Sequence, residues 1–321
     1  MSKSSANIAL KCVVSCLLLA YLLTTTDLQA IGTACATASP LWLIVAFSLH
    51  IVGYLLSAYR WQMLLAARGA HFSIGHLAQS YIIGIFFNSF LPSTVGGDVF
   101  RAYDTADGVG SKMDAMTVVV VDRLTGMFAL GVFALIALMF GFSQFSHLPV
   151  VWSALGGLGL AFLAFVAAMH PRAAKIVKAG LAHSVMRRLP FAAKIEAKLR
   201  QIYAALSVYR RNQRVLAVTF ALALLLQINV ILHYYLIAYA MKLAVPFLYF
   251  FLIVPVVTVI LMMPIFINGI GGRETAYIFL LGQFGVSSAQ AIAFSWIGFG
   301  MLLIQGVAGG IIYALRKKGR E

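Results

Sequence analysis

Two stretches decide how this chain is read: Asn88 to Tyr103, NSFLPSTVGGDVFRAY, and Met263 to Tyr277, MPIFINGIGGRETAY. Each breaks an apolar run with a proline and a Gly-Gly pair, then presents charged residues. Proline removes a helical hydrogen bond and glycine weakens the helix around it. Inside a bilayer such a break leaves backbone polar groups that only protein or a water-filled cavity can satisfy. The pair of breaks therefore marks a candidate substrate path.

Working outward, the chain has 321 residues, of which 62% are hydrophobic and only 10% charged, with a mean hydropathy of +0.95. That balance excludes an ordinary soluble domain. Stretches long enough to span a bilayer are Ile8 to Thr25, Leu41 to Tyr59, Thr117 to Phe140, Val150 to Met169, Val215 to Tyr239 and Ala289 to Leu315. Ile74 to Leu91 and Phe247 to Phe284 contain the breaks and read as re-entrant helical hairpins, the second also being compatible with two short spans. The predicted fold is an all-α polytopic membrane protein with six full transmembrane spans plus two re-entrant hairpins.

Loops that stay in the cytoplasm keep an excess of Lys and Arg. The N-terminus, the turn carrying Arg60 and Arg68, the segment Arg172 to Arg214 and the tail from Arg316 all fall on one side, whereas the opposite loops contain Lys242 alone. Both termini are thus expected in the cytoplasm, with the two hairpins entering from opposite faces. This layout makes an inverted-topology repeat: span, span, hairpin, span over residues 8–140 and again, upside down, over 150–315, with 172–214 inserted. Such repeats are the frame of alternating-access transporters.

The segment 172–214 holds eleven Lys or Arg and one acidic residue, Glu196, with Ile195, Leu199, Ile202, Leu206 and Tyr209 at helical spacing. It reads as a basic amphipathic stretch on anionic headgroups or as a plain positive-inside determinant, and accounts for much of the net charge of +15 without a nucleic-acid partner. Cys12, Cys16 and Cys35 form neither a disulfide framework nor a metal spacing. The basic start of the first span and Ala34-Cys35-Ala36 mimic a signal peptide, but cleavage would destroy the repeat, so a retained anchor is expected.

Asp98, Arg101, Asp122, Arg123, Arg273 and Glu274 lie at or near the breaks. At about 2.5 to 3.5 kcal/mol each in mid-bilayer, six unpaired charges would cost roughly 15 to 20 kcal/mol. They must pair, reach an interface or line a hydrated cavity. For Asp122 and Arg123 a structural ion pair near the cytoplasmic surface competes with a substrate role, and Asp98 and Arg101 share a helical face. Arg273 and Glu274 open a half-helix and are the least easily explained by an interface. Half-helix N-termini carry free N–H groups that favour phosphate or carboxylate. Gly96-Gly97 with Arg101 and Gly271-Gly272 with Arg273 would make two anion-binding corners facing each other. Ser93, Thr94 and Asn268 would add neutral hydrogen bonds, while the acidic residues would orient the arginines or receive a cationic part of the headgroup. His50, Gln227, Asn229, His233 and Gln305 read more simply as polar contacts between spans. No nucleotide loop, zinc spacing or hydrolase triad is present, and no cofactor is expected.

The motifs GDVFRA (97–102), DRL (122–124) and GIGGRE (269–274) resemble the landmarks of the lysylphosphatidylglycerol synthase/flippase transmembrane family over nearly the whole chain. The resemblance implies the translocase half alone, in a bacterial inner membrane, with Arg101, Arg273 and Glu274 at the family's motif positions and no covalent chemistry. Asp98 and Asp122 replace a more frequent Glu, which shortens the carboxylate's reach. Candidate substrates are anionic or aminoacylated phospholipids, polyprenyl-phosphate-linked glycans and hopanoid lipids. Rival expectations are an ion-coupled transporter of a soluble anion, an enzyme acting on a headgroup with Asp122 or Glu274 as base, and a membrane partner of a biosynthetic enzyme.

Overall fold

The computed structural model describes residues 17–90, 96–145, 147–149, 151–153, 212–262 and 268–318, with isolated positions at 156–157, 159–160, 209 and 266. Every element among them is a helix: α1 (17–25), α2 (Leu28–Ala36), α3 (Pro40–Ala66), α4 (Ile74–Phe90), α5 (Gly96–Val109), α6 (Lys112–Phe145), α7 (Gln213–Ala240), a 3-10 turn (Phe247–Tyr249) leading into α8 (Phe250–Met262), α9 (Gly272–Gly282) and α10 (Ser288–Lys318). Four are long and apolar enough to cross a membrane: α3, residues Lys112–Ile136 of α6, α7, and Ser288–Arg316 of α10. At 1.5 Å per residue the 27 residues of α3 reach about 40 Å, ample for a hydrocarbon core of about 30 Å. These match four of the six expected spans. The other two, 8–25 and 150–169, fall largely outside the described residues, as do nearly all of 172–214 and the break residues 91–95.

Three boundaries differ from expectation, each for a local reason. The loop expected from Asp27 to Pro40 contains α2, whose first turn is capped by Asp27 Oδ1 accepting from the Gln29 and Ala30 N–H groups at 2.8 and 3.3 Å. α3 continues past Tyr59 to Ala66, so Arg60 is not in a cytoplasmic turn but inside a helix and buried. α10 similarly incorporates Arg316, expected in a free tail. Its guanidinium lies against Asp104 at 3.1 Å and against the His76 ring.

The breaks generate two helical hairpins. α4 stops before Pro92, and α5 returns antiparallel to it, the two approaching so closely that a Cβ on Gly97 would collide with the Gly84 carbonyl oxygen. α8 stops before Pro264. Asn268, Gly269 and Gly271 then take positive φ values of 51°, 74° and 79°, turning the chain into α9. The limbs span 17, 14, 13 and 11 residues. At 1.5 Å per residue none exceeds about 26 Å, against about 30 Å for a typical hydrocarbon core.

α10 organises both hairpins. α4 runs antiparallel to it: Ser89 lies on Gly306, Phe86 on Gly310, and Arg316 reaches Ser80. Gly309 meets the Ile82 carbonyl so closely that no side chain fits, the small-residue packing typical of membrane helices. α9 also runs antiparallel to α10, with Glu274 bonded to Ser295 at 2.8 Å and Tyr277 against Phe294. The first limb of one hairpin is therefore antiparallel to α10, and the first limb of the other is parallel to it. Their tips meet at the middle of α10, where Asn268 Nδ2 donates to the Ser89 carbonyl at 2.6 Å. α3 and α7 pack antiparallel beside this assembly, from Trp42 on Tyr239 to Gly53 on Asn229.

Candidate functional site

The first hairpin carries a buried ionic network. Asp122, on α6 and 1% exposed, accepts from Arg60 Nε at 2.7 Å on Oδ1, and from the Tyr81 hydroxyl at 2.7 Å and Arg101 Nη2 at 2.9 Å on Oδ2. Four helices, α3 to α6, thus converge on one carboxylate. Arg101 also lies against the mutually perpendicular rings of Trp61 and Tyr81, its guanidinium carbon 4.3 and 3.8 Å from their centroids. Asp98 pairs closely with Arg123 and stands 3.7 Å from Arg101, so the expected Asp98–Arg101 pair is the weaker of the two. Burial on this scale is tolerable only because each carboxylate has cationic donors on it.

These groups line a cavity of about 250 Å³. Its charged lining is Arg60, Arg101 and Arg123 against Asp98 and Asp122, a net formal charge of one positive. Among the described residues, two donors within the arginines, Arg60 Nη1 and Arg101 Nε, have no hydrogen-bond acceptor. Arg123, with a side chain 39% exposed, is the cation nearest the opening. The site therefore has spare positive charge and spare donors, the requirements of an anionic guest.

The second tip is built otherwise. Arg273 donates to the Asn268 carbonyl at 2.5 Å and lies over the Phe299 ring at 4.2 Å. Among the described residues it makes no ion pair with a carboxylate. Glu274 was expected to orient an arginine or meet a cationic headgroup, but it caps its own helix. One carboxylate oxygen accepts from the Gly271 N–H at 2.8 Å and the other from Ser295. The physical reason is the dipole: an acidic side chain in the first turn satisfies the free N–H groups itself.

The glycines, expected to admit a ligand to the backbone, serve helix packing in part. Gly97 lies on Gly84, with its N–H held by Asn88 Oδ1 at 2.7 Å, and Gly272 packs under the Phe266 ring. The N–H groups of Gly97 and Gly271 are each held by a side-chain oxygen, Asn88 Oδ1 and Glu274 Oε2. Gly96 opens α5. Thr94 and Ser93 lie outside the described residues.

The two tips share space. A second cavity of about 230 Å³ is lined by Asn268, Gly269, Ser89 and Phe299, and Ile85 and Asn88 line it and the first cavity alike. A Cβ on Gly269 would stand 3.2 Å from Arg273 Nη2, placing that guanidinium at the edge of the second cavity. A third cavity, of about 400 Å³ and almost wholly apolar, lies on the other side of α9 against Gly272, Ala276 and Phe279. No group of three His, Cys, Asp or Glu among the described residues is placed to hold a metal ion.

Sequence reasoning missed Arg60, Trp61, Tyr81 and Asn88. Arg60 was the legible one: a charge followed by Trp61, Met63, Leu64, Leu65 and Ala66, broken only by Gln62, belongs to a continuing helix rather than to its end.

The fold and site define a helical membrane protein with an ionic cavity beside paired short hairpins. The model of the family described as "Lysylphosphatidylglycerol synthase TM region" matches residues 8–310, and the chain belongs to that family. Membership associates it with a function in membrane lipids, and the matched region is the family's membrane part. No curated protein and no solved structure matches.

Proposed function

We propose that the protein is a lipid translocase of the bacterial inner membrane. It moves a lipid with a phosphate-bearing or aminoacylated headgroup between leaflets, and the headgroup passes through the cavities between the hairpin tips while the tails remain in the bilayer. The hairpins are re-entrant from opposite faces and the chain is an inverted repeat with both termini cytoplasmic. The observation that carries this reading is the buried cluster of three arginines and two aspartates around the 250 Å³ cavity, with Asn88 and Ile85 connecting it to the second cavity at the Arg273 tip. A net positive, donor-rich hollow in a helix bundle this apolar suits a negatively charged headgroup.

In this reading Arg123 meets the headgroup first and Arg101, fixed by the Trp61 and Tyr81 rings, holds it. Arg273, lacking a carboxylate, receives it at the second tip. Asp98 and Asp122 keep the arginines oriented and limit the net charge, so that the anion binds and leaves. The test is reconstitution into vesicles with headgroup-labelled phosphatidylglycerol. Accelerated exchange between leaflets is expected, falling at least about tenfold in Arg273→Ala, the loss of about 1.4 kcal/mol of barrier stabilisation. Unchanged exchange in folded Arg273→Ala counts against the site. Uptake of a water-soluble phosphate compound, without lipid exchange, would favour a soluble-anion transporter.

A further inference from the structure

Two histidines 183 positions apart in sequence meet inside the bundle. His50 on α3 and His233 on α7 have ring centroids 4.2 Å apart, and His233 Nδ1 lies 2.9 Å from the Ala46 carbonyl oxygen. That contact fixes Nδ1 as the protonated nitrogen of a neutral His233 and directs its Nε2 lone pair away from the backbone. His233 is 4% exposed, and neither ring has an ion-pair partner among the described residues. The Ala46 carbonyl, already within the helix ladder, gives the His233 Nδ1–H its acceptor, and that contact involves one histidine alone. The second ring, at van der Waals contact in an apolar span, needs another explanation.

The surroundings connect this pair to both hairpin tips. On one side His50 touches the Tyr54 ring, and the Tyr54 hydroxyl bonds to Gln305 Oε1 on α10. Gln305 precedes Gly306, on which Ser89 of the first tip rests, and its Nε2 is buried without an acceptor. On the other side His233 packs on Tyr234, whose ring centroid is 6.1 Å from that of Tyr277 on α9. Tyr277 follows Arg273 and Glu274 on α9 by four and three residues, about one helical turn from the second tip. The titratable groups facing the pair are thus Tyr54 from its own helix, Tyr234 from α7 and Tyr277 from α9. From α10 comes only the neutral Gln305. The nearest cation on α3, Arg60, is ten residues further along, about 15 Å.

We propose that His50 and His233 form a single-proton site that couples proton binding to movement of the headgroup between the two tips. Two imidazolium rings in contact, with no carboxylate beside them among the described residues, repel too strongly for both to be charged, so the pair takes one proton and titrates as a unit. The added positive charge favours an anion at the tips, to which Tyr54–Gln305 and Tyr234–Tyr277 connect the pair. The proposal is argued within the translocase reading, yet its first test does not depend on it.

That first test uses the full chain labelled with 15N in histidine, in nanodiscs, followed by NMR between about pH 3 and 8, because burial disfavours the charged imidazole. One coupled step shared by the two rings is expected, and replacing either by glutamine should shift the other's midpoint by about one pH unit or more. Independent titrations, or none in this range, overturn the proposal. The second test imposes a pH difference across phosphatidylcholine vesicles containing labelled phosphatidylglycerol. A several-fold change in the wild-type exchange rate is expected, and its loss in His50→Gln and His233→Gln, with size-exclusion profiles confirming folding. A gradient response that survives in both variants overturns the coupling. Absence of any exchange in the wild type sinks the translocase reading instead, and leaves the NMR result to decide the proton site.

Discussion

The two breaks share a Gly-Gly pair followed by an acidic residue, but the structure uses them in opposite ways. In the first, GGDVFR places Asp98 and Arg101 inside a five-membered ionic network completed by Arg60, Asp122 and Arg123 from α3 and α6. In the second, GGRE closes on itself: Glu274 caps Gly271, and Arg273 rests on a carbonyl and a phenyl ring. The lesson is that a charged motif at a helix start does not reveal its role. What decides it is whether the neighbouring helices bring countercharges. Here α3 and α6 do, and α8 and α10 do not.

The strongest way to break this contrast is Asp122→Ala. It strands Arg60 and Arg101, 5% and 4% exposed, without their shared carboxylate. A destabilisation of about 3 to 5 kcal/mol is expected, enough to abolish folded protein on size-exclusion chromatography. Asp122→Asn keeps an acceptor and the shape, and should be recovered folded in larger amounts. If Asp122→Ala proves as stable as wild type, the network is not what holds α3 to α6.

Next in size is a pair of glycine substitutions. Gly97→Ala places a methyl against the Gly84 carbonyl oxygen, a backbone atom that moves only with its helix. Overpacking of this kind costs about 1 to 3 kcal/mol. Gly272→Ala meets the Phe266 ring, which can rotate, and should lower the thermal midpoint less. The reverse order would show that the second tip, not the first, is the tighter joint.

Glu274 separates capping from substrate contact. Glu274→Gln retains an oxygen for the Gly271 N–H and turns an amide N–H towards the Ser295 hydroxyl, which can accept it, so both stability and lipid exchange should stay near wild type. Glu274→Ala removes the cap and should cost about 0.5 to 2 kcal/mol in a thermal melt. A collapse of exchange in a stable Glu274→Gln protein would restore the carboxylate to the headgroup's path.

What was legible in the sequence, and what was not, follows the same division. The four long spans and the positions of both breaks are written in local composition: apolar runs of adequate length, Pro92 and Pro264, and Asn268 and Gly269 at a turn. The grouping of Asp98, Arg101, Asp122 and Arg123 was legible because the cost of isolated charge in lipid forces pairing. The partner Arg60 was not, because the contact joins residues 62 positions apart, and only packing of α3 on α6 brings them together. The histidine pair was hidden for the same reason. Glu274 misled because a cap and a ligand-binding carboxylate have one sequence signature.

The smallest effect on stability is expected at Arg123, and it sharpens the comparison most. Its side chain is 39% exposed, so Arg123→Gln should cost no more than about 1 kcal/mol, the range of a partly solvated ion pair. Asp98 keeps Arg101 at 3.7 Å and is not left without countercharge. The cavity's formal charge nonetheless falls from one positive to zero, since three arginines then become two against two aspartates. If that spare charge is what recruits an anionic headgroup, exchange of labelled phosphatidylglycerol should slow several-fold, while exchange of a zwitterionic label changes little. Equal slowing of both lipids would mean that Arg123 shapes the opening, and that selectivity lies at Arg273.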